Sequence, residues 1–217
     1  MDLYLVRHGE TAANVHHVYQ KPTEPISAIG AAEVARLVNH IQTIEPTHIY
    51  TSDFKRARET AHFFGYATGI EPVWLPSLHE VYPPEFLIGE SRFSLASFAY
   101  LLRWFFGLYT PDPKSKAETK EMFVHRVLKA RAHFEANHGP GDKVVAVTHS
   151  VFLNFFLAHL CADKHVNLFK ALPLLFKILR YENSGITHVR YIGETEKNVC
   201  PWQIVSYNGH AHLELEV

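Results

Sequence analysis

Short apolar runs alternate with longer stretches of helical periodicity over the first three quarters of the chain. Four apolar runs of strand length predict β-strands at residues 3–6, 48–51, 73–75 and 144–147. Four segments with apolar residues at helical spacing predict α-helices over residues 28–44, 53–64, 117–138 and 151–160. Ser150 is expected to form the N-cap of the last helix. Strands that alternate with helices indicate an α/β domain with a largely parallel sheet.

The last quarter of the chain is richer in strand-forming residues. Runs at 174–181, 186–192 and 203–207 predict three further strands, with turns at 183–185 and 208–209. We therefore expect a three-layer α/β sandwich, with a mostly parallel central sheet and helices on both faces. The whole chain, 1–217, is interpreted as a single domain. A segment at about 82–116 interrupts the alternation and is interpreted as a cap insertion over the C-terminal ends of the strands.

The cap insertion contains a run that is apolar on almost every side. Residues 93–109 carry one charge, Arg103, and Gly107 and Pro111 end the run before it reaches the ~20 residues of a membrane span. A helix that is apolar all round is usually buried. Three interpretations stay open: a cap helix packed on the core, a wall of a hydrophobic substrate pocket, or a contact with a membrane surface or a homodimer partner.

Composition and charge exclude several classes of protein. The 217 residues are 47% hydrophobic and 20% charged, with a formal net charge of −1, a balance typical of a globular protein with one sizeable core. Such a chain is not expected to bind nucleic acid or to be drawn to an anionic membrane. Cys161 and Cys200 are too few for a disulfide framework and lack a metal-binding spacing. The first residues do not form a signal peptide, so we expect a cytoplasmic protein.

The first candidate for chemistry is Arg7-His8-Gly9-Glu10-Thr11, directly after the first predicted strand. In open α/β sheets, ligands bind at the carboxyl ends of the strands. An arginine there offers a planar, permanently charged fork for phosphate oxygens, and a neutral histidine offers a nucleophilic nitrogen. Gly9 lets the backbone approach closely. The alternative interpretation is a strand that ends in a surface Arg-His pair.

His149 and Arg56 are the second and third candidates. His149 follows the predicted strand at 144–147 and precedes a helix N-terminus, where free amides and the helix dipole attract an anion. Arg56 lies in the first turn of the helix that follows the strand at 48–51, so we expect it at the same edge of the sheet. Arg58 is the alternative, but it lies about 200° further round the helix.

These segments belong to a longer set that spans nearly the whole chain. The set comprises Arg7 to Thr11 with Asn14, Pro25 to Ser27 with Gly30, Ser52 to Ala61, Leu78 to Glu80, Val147 to His149, Asn183 to Ile186, and Trp202 with Asn208, His212 and Leu213. In residues and in order, the set resembles the histidine phosphatase superfamily, also called the phosphoglycerate mutase-like family, in the branch of cofactor-dependent mutases and small phosphatases.

The resemblance implies a reaction through phosphorylated His8. The groups it implies for the phosphate pocket are Arg7, Asn14, Arg56 and His149. The charge that builds on three equatorial oxygens would be offset by two arginines and a protonated His149. Because these groups supply the charge, no metal and no other cofactor is expected.

The resemblance also implies that Glu80 is the general acid, with Glu85 as the competing candidate. The chain departs from the family at Ser150-Val151, where glycines are common, although the Ser150 amide can still reach phosphate. It departs again after Glu80, where Val81 to Pro84 replaces the common glycine and Trp-Glu-Gly pattern. These departures leave the substrate open.

A metal centre is the alternative use of the histidines. His16-His17 could join His8 and His149, but adjacent histidines lack a chelating helical spacing and no carboxylate-rich motif accompanies them. We therefore expect no metal site.

The expected function is a metal-independent phosphomonoesterase that acts on a small phosphorylated metabolite. A phosphoglycerate-type phosphomutase and a catalytically idle phosphate-binding module are the alternatives. Arg92 and Arg103 are the only bases between Glu80 and Tyr109, which favours hydrolysis. Selectivity is expected to come from Tyr82, Phe86, Leu87 and the run at 93–109, whose apolar side chains would favour aryl or other apolar esters.

Overall fold

The computed structural model describes residues 1–161, 181–193 and 199–209. Its strands are β1 (Asp2–Arg7), β2 (His48–Thr51), β3 (Val73–Trp74), β4 (Lys143–Thr148), β5 (Ile186–Tyr191) and β6 (Trp202–Gly209). Its helices are α1 (Ala12–Val15), α2 (Ala28–Ile44), α3 (Lys55–Thr68), α4 (Leu95–Phe105), α5 (Lys120–Asn137) and α6 (Ser150–Ala158). Two short 3₁₀ turns, Pro76–Leu78 and Glu85–Leu87, lie between β3 and α4.

The six strands form one sheet in the order β3-β2-β4-β1-β5-β6. The first four of these strands are parallel to one another, and β5 and β6 continue the sheet in antiparallel pairing. The predicted mostly parallel sheet is therefore confirmed. Because β1, β2 and β4 run in the same direction, the residues that follow them meet at one edge of the sheet.

Helices cover both faces of the sheet, as the sequence predicted. Successive side chains of a strand point to opposite faces, so β1 places Leu3 and Leu5 in one core cluster and Val6 in the other. The larger cluster packs against α5 and α6 and is rich in phenylalanine, whereas the smaller one packs against α2 and α3. Burial of both faces explains why β4 is apolar at four consecutive positions rather than at alternate ones.

The predicted boundaries of α2 and β2 are reproduced, but two local predictions need correction and one helix was missed. Ser150 is the first residue of α6 and not its N-cap. The N-cap is His149, and the His149 side chain makes no capping hydrogen bond. Residues 208–209 end β6 instead of forming a separate turn. The four-residue helix α1 was not predicted, because it is too short to show a helical period. The strand predicted at 174–181 lies outside the described residues, except for its last position.

The segment at 82–116 has α4 as its main element, and several of its residues line one cavity together with Arg7 and His8 at the end of β1. The helix buries Tyr100 and Trp104, whereas Leu95 and Phe98 on the other side are exposed. One face of α4 therefore packs on the larger core cluster, as the first of the three interpretations expected, and the other apolar face is exposed. Among the described residues, no helix combines the length and the hydropathy that crossing a bilayer requires.

Cys161 and Cys200 form a disulfide that links the end of α6 to the segment before β6. The two cysteines are too few for a framework, as the sequence indicated, but they do pair. Disulfides are rare in reducing compartments, so this bond gives no support to the expected cytoplasmic location.

Candidate functional site

The carboxyl ends of β1 and β4 bring the first two candidate residues together. The parallel register pairs Arg7 with Thr148, so His8 and His149 are neighbours immediately beyond the sheet. The His8 amide donates to the Thr148 carbonyl at 3.0 Å, and the two imidazole rings are 5.1 Å apart. The sheet itself therefore sets the distance between the histidines.

A close backbone contact holds the loop that carries His8. A Cβ atom on Gly30 would lie 2.6 Å from the Glu10 nitrogen, and one on Gly9 would lie 2.8 Å from the Gly30 carbonyl oxygen. Only glycine allows the start of α2 to approach the loop so closely. Ser27, the N-cap of α2, completes the contact through a hydrogen bond of 3.0 Å from its hydroxyl to Glu10 Oε1.

His8 is held as a neutral imidazole with one nitrogen open to chemistry. Its Nδ1 lies 2.8 Å from the Gly9 carbonyl oxygen, which can only accept, so the proton belongs on Nδ1. Nε2 then carries the lone pair, and Arg56 Nε donates to it at 3.2 Å. Burial, with the positive charges of Arg56 and Arg7, keeps the pKa of His8 well below its ordinary value.

His149 is fully buried beside His8 and is anchored by Ser52. The Ser52 hydroxyl lies 2.7 Å from His149 Nε2 and accepts the Phe54 amide, which leaves its own proton for the imidazole. His149 Nδ1 is buried and has no hydrogen-bond partner among the described residues. Burial and the charge of Arg56 hold the pKa of His149 well below its ordinary value. The protonated His149 that is expected to offset charge during phosphoryl transfer therefore stays a prediction for the complex with a phosphate ester.

Arg7 and Arg56 are buried cations at the same edge. Arg7 donates to the Tyr181 carbonyl, and Arg56 Nη1 donates to the Lys21 carbonyl at 3.1 Å. Burial lowers the pKa of each arginine to about 10, so both stay charged at neutral pH. Arg58 points elsewhere, over the Trp74 ring at 4.8 Å, and the geometry therefore selects Arg56 over it.

Glu80 occupies the N-terminus of α6. Its carboxylate accepts the amides of Val151 at 2.9 Å and Phe152 at 3.0 Å. A carboxylate from a distant segment therefore binds two of the free amides at this helix N-terminus, where the sequence predicted that an anion would bind. The Ser150 amide, which was expected to reach phosphate, is not one of these two. Glu80 lines the cavity, whereas Glu85 is exposed and lies outside its walls.

Asn14 and Ser150 both line the same cavity. Asn14 Oδ1 accepts the Thr11 amide and hydroxyl at 3.2 and 2.9 Å, within the capping box of α1. Its Nδ2 is then the remaining group for an anion. The structure therefore brings every residue of the predicted pocket to one cavity or, for His149, directly beside it.

The cavity continues from this polar floor into a wall that the cap supplies. The cap contributes Pro83, Tyr100, Leu101, Trp104 and Phe105 to this wall, and Tyr19, Phe54, Val81, Val151 and Phe155 from other segments also line the cavity. Of the residues that were expected to determine selectivity, only some of those in the run at 93–109 line the cavity. Phe86 is 64% exposed and Leu87 is in the core, so neither lines the cavity, and Tyr82 packs on Phe54 and His79 instead.

Arg92 is a residue of the cavity that the sequence did not predict as a site residue. It lines the cavity, and its Nε donates to the Val18 carbonyl at 3.3 Å. The sequence marked it only as one of two bases in an apolar insertion. Arg103, the other base, is exposed on α4.

The metal alternative built on His16-His17 does not form. Both histidines are exposed, and the His17 ring packs against Phe93 at 5.7 Å. Among the described residues, neither belongs to a group of three potential metal ligands.

Comparison with known proteins shows the family to which the chain belongs. The sequence pattern of the histidine phosphatase superfamily (branch 1) matches residues 3–199. A Yersinia pestis protein named probable phosphoglycerate mutase GpmB is 33% identical over 99% of this chain and 96% of its own length.

Solved structures share the fold at lower identity. A phosphoserine phosphatase from Entamoeba histolytica has a TM-score of 0.74 at 19% identity, with 98% of this chain and 99% of that chain covered. A mycobacterial glucosyl-3-phosphoglycerate phosphatase has a TM-score of 0.72 at 21% identity, with 95% and 98% covered. On its sequence and its fold, the chain belongs to branch 1 of the histidine phosphatase superfamily.

Proposed function

We propose that the protein is a metal-independent phosphomonoesterase that works through a phosphohistidine at His8. The observation that carries this proposal is a neutral, buried imidazole whose Nε2 lone pair lies at the floor of a cavity with two buried arginines. A neutral imidazole is a nucleophile, and fixed positive charge favours the transition state of phosphoryl transfer.

The proposed reaction has two steps. His8 Nε2 attacks phosphorus, the bond to the ester oxygen breaks, and Glu80 donates a proton to the leaving oxygen. Glu80 then takes a proton from water, the resulting hydroxide attacks the phosphohistidine, and the N–P bond breaks to release phosphate and neutral His8. Arg7 and Arg56 offset charge on the equatorial oxygens in both steps.

The phosphohistidine is tested by replacing the nucleophile. His8→Ala should abolish hydrolysis and the acid-labile, base-stable phosphoenzyme that a labelled ester leaves on the wild type. His125→Ala, an exposed histidine on α5, is the matched control and should keep both. Activity should also survive exhaustive treatment with EDTA, because arginines supply the charge. A phosphoenzyme on the His8→Ala protein would refute the assignment.

We further propose that the substrate carries an apolar or aromatic leaving group. The cap wall supplies Leu101, Trp104 and Phe105 above the phosphate floor. Burial of apolar surface there contributes about 25 cal/mol per Å². A compact, doubly charged ester would gain little from such a wall and would lose hydration.

Two positions on α4 test this substrate class. Phe105 lines the cavity, whereas Phe98, about two turns earlier on the same helix, is 62% exposed and does not line it. Phe105→Ala should lower kcat/KM for an aryl phosphate by roughly tenfold, the equivalent of about 1.5 kcal/mol of buried side chain, and should leave a small alkyl phosphate unchanged. Phe98→Ala should change neither. Equal losses on both esters would contradict a role in leaving-group selection.

A phosphoglycerate-type mutase is the second candidate. Arg92 favours it, because a third cation at the cavity could hold a second anionic group, and the Yersinia pestis relative bears a mutase name. Assays with 3-phosphoglycerate separate the two activities, since a mutase would isomerise it without net release of phosphate. Stoichiometric phosphoenzyme without turnover on any ester tested would instead favour an idle phosphate-binding module.

A further inference from the structure

Three potential metal ligands meet at the edge of the sheet opposite the phosphate cavity. His48 is the first residue of β2, Asp142 directly precedes β4, and His138 is the C-cap of α5. One ligand atom from each lies within 4.8 Å of the others. The register pairs His48 with Val144, so β2 and β4 begin side by side and bring these residues together. The six residues of β4 separate this edge from His149, a distance of about 20 Å.

The separation of His138 and Asp142 fits a bridging ion better than a direct hydrogen bond. His138 Nδ1 lies 3.6 Å from Asp142 Oδ2, which is too long for a hydrogen bond. Two ligands that share a tetrahedral zinc ion, with bonds of about 2.0–2.1 Å, lie about 3.4 Å apart. Nδ1 is buried and has no hydrogen-bond partner among the described residues, and such an atom is costly unless something binds it.

The other nitrogen of His138 has a hydrogen-bond partner, as the second nitrogen of a metal-bound histidine usually does. Nε2 lies 3.1 Å from the Tyr50 hydroxyl. If Nε2 donates its proton to that oxygen, the Nδ1 lone pair is left for an ion, and the ring is fixed in position. Asp142 accepts the Gly139 amide at 2.8 Å, which orients its carboxylate.

The ion pairs at this edge also leave the Asp142 carboxylate able to bind a cation. The neighbouring Lys143 pairs with Glu45 at 3.3 Å rather than with Asp142. Among the described residues, His138 is the only ion-pair partner of Asp142. His48 is exposed, so an ion can reach the group from solvent and keep a water ligand.

We propose that His48, His138 and Asp142 bind a divalent transition-metal ion, with zinc as the best match to two imidazoles and a carboxylate. The ion links the start of β2, the end of α5 and the turn before β4. Since it binds the folded chain, it stabilises the fold. It lies too far from His8 to take part in phosphoryl transfer, so this site is independent of the proposed function.

The test measures zinc binding by calorimetry on the full chain, purified without a histidine tag and stripped with EDTA. We expect one zinc ion per chain and a rise in Tm. His48→Ala and Asp142→Asn should each weaken binding at least about tenfold. Both residues are at least partly exposed, and the asparagine keeps an oxygen acceptor for Gly139. His125→Ala, on the exposed side of α5, should bind zinc as the wild type does.

Two results would overturn the site. One is wild-type binding weaker than about 100 μM, which amounts to adventitious contact with surface histidines. The other is undiminished stoichiometric binding in both variants, which would place the ion elsewhere. Phosphatase activity is measured in parallel, and its retention in both variants separates failure of this site from failure of the proposed function.

Discussion

Arg7 and Arg56 are charged, whereas the neighbouring histidines, His8 and His149, are neutral. This difference in charge determines which role each side chain can have in phosphoryl transfer. Burial acts on all four side chains, but it leaves the arginines charged while it favours the neutral form of His8 and His149. The result is a nucleophile that needs no deprotonation next to fixed positive charge. A bound phosphate dianion would offset that charge and make a proton on His149 less costly.

We predict that the charge of Arg92, which lines the cavity, contributes to the binding of phosphate esters. Arg92→Met keeps an unbranched side chain but removes the charge from the cavity. Charged hydrogen bonds contribute about 1.5–3 kcal/mol, so kcat/KM for phosphate esters should fall roughly tenfold to hundredfold. The inhibition constant of inorganic phosphate should rise by a similar factor. Steady-state kinetics with one ester and with phosphate as inhibitor measures both.

Arg103→Met is the matched control for this change, because Arg103 is exposed on α4. It should leave both constants unchanged. If Arg92→Met affects only 3-phosphoglycerate and no simple ester, the residue recognises a second anionic group and the mutase candidate gains support.

Among the elements, α5 positions the segment that carries Glu80. Arg126 Nη1 donates to the carbonyls of Ser77 and His79 at 3.1 and 2.6 Å, and its Nη2 donates to Glu118 at 2.6 Å. The Arg126 guanidinium therefore links α5 to the segment between β3 and the cap through hydrogen bonds. The planar fork makes these contacts together, which a lysine cannot do.

Arg126→Lys should therefore displace Glu80 while the phosphate floor stays intact. We expect kcat to fall about tenfold and the inhibition constant of phosphate to stay close to that of the wild type. Tm should fall too, because Glu118 loses part of a buried ion pair. Lys129→Ala, on the same helix but outside this contact, is the control. A lower Tm with unchanged kcat would show that Arg126 supports the fold alone.

The sequence predicted the elements whose side chains repeat regularly and the residues that follow strands. α2 and β2 have the predicted bounds, and Arg7, His8 and His149 lie at the predicted edge. It did not predict contacts between distant segments. Glu80 as the cap of α6, Ser52 on His149 and Arg92 at the cavity each join segments that have no shared pattern. Phe86 was misplaced for the same reason, since a local apolar pattern does not say which face meets solvent.

Burial of neutral histidines couples the site to the folding stability of the protein. His8, His149, His79 and His138 all have pKa values lowered chiefly by burial. In the unfolded chain each of these histidines has a pKa of about 6.5. Below that pH the unfolded chain therefore binds more protons than the folded one, so the free energy of unfolding rises with pH. The stability is fully present above about pH 6.5 and is lost as the pH falls towards the folded-state values.

We expect the free energy of unfolding to fall between pH 7 and pH 5, by up to about 1.4 kcal/mol per pH unit for each histidine that stays neutral when folded. Urea unfolding at half-unit intervals measures it, with the m-value checked for constancy. His149→Gln cannot take up the proton in either state, so its curve should be flatter in this window even if its stability is lower throughout. His125→Gln removes an exposed histidine from α5 and should keep the wild-type slope. A His149→Gln curve parallel to that of the wild type would show that His149 takes up its proton equally in both states, and would contradict a neutral, buried imidazole beside His8.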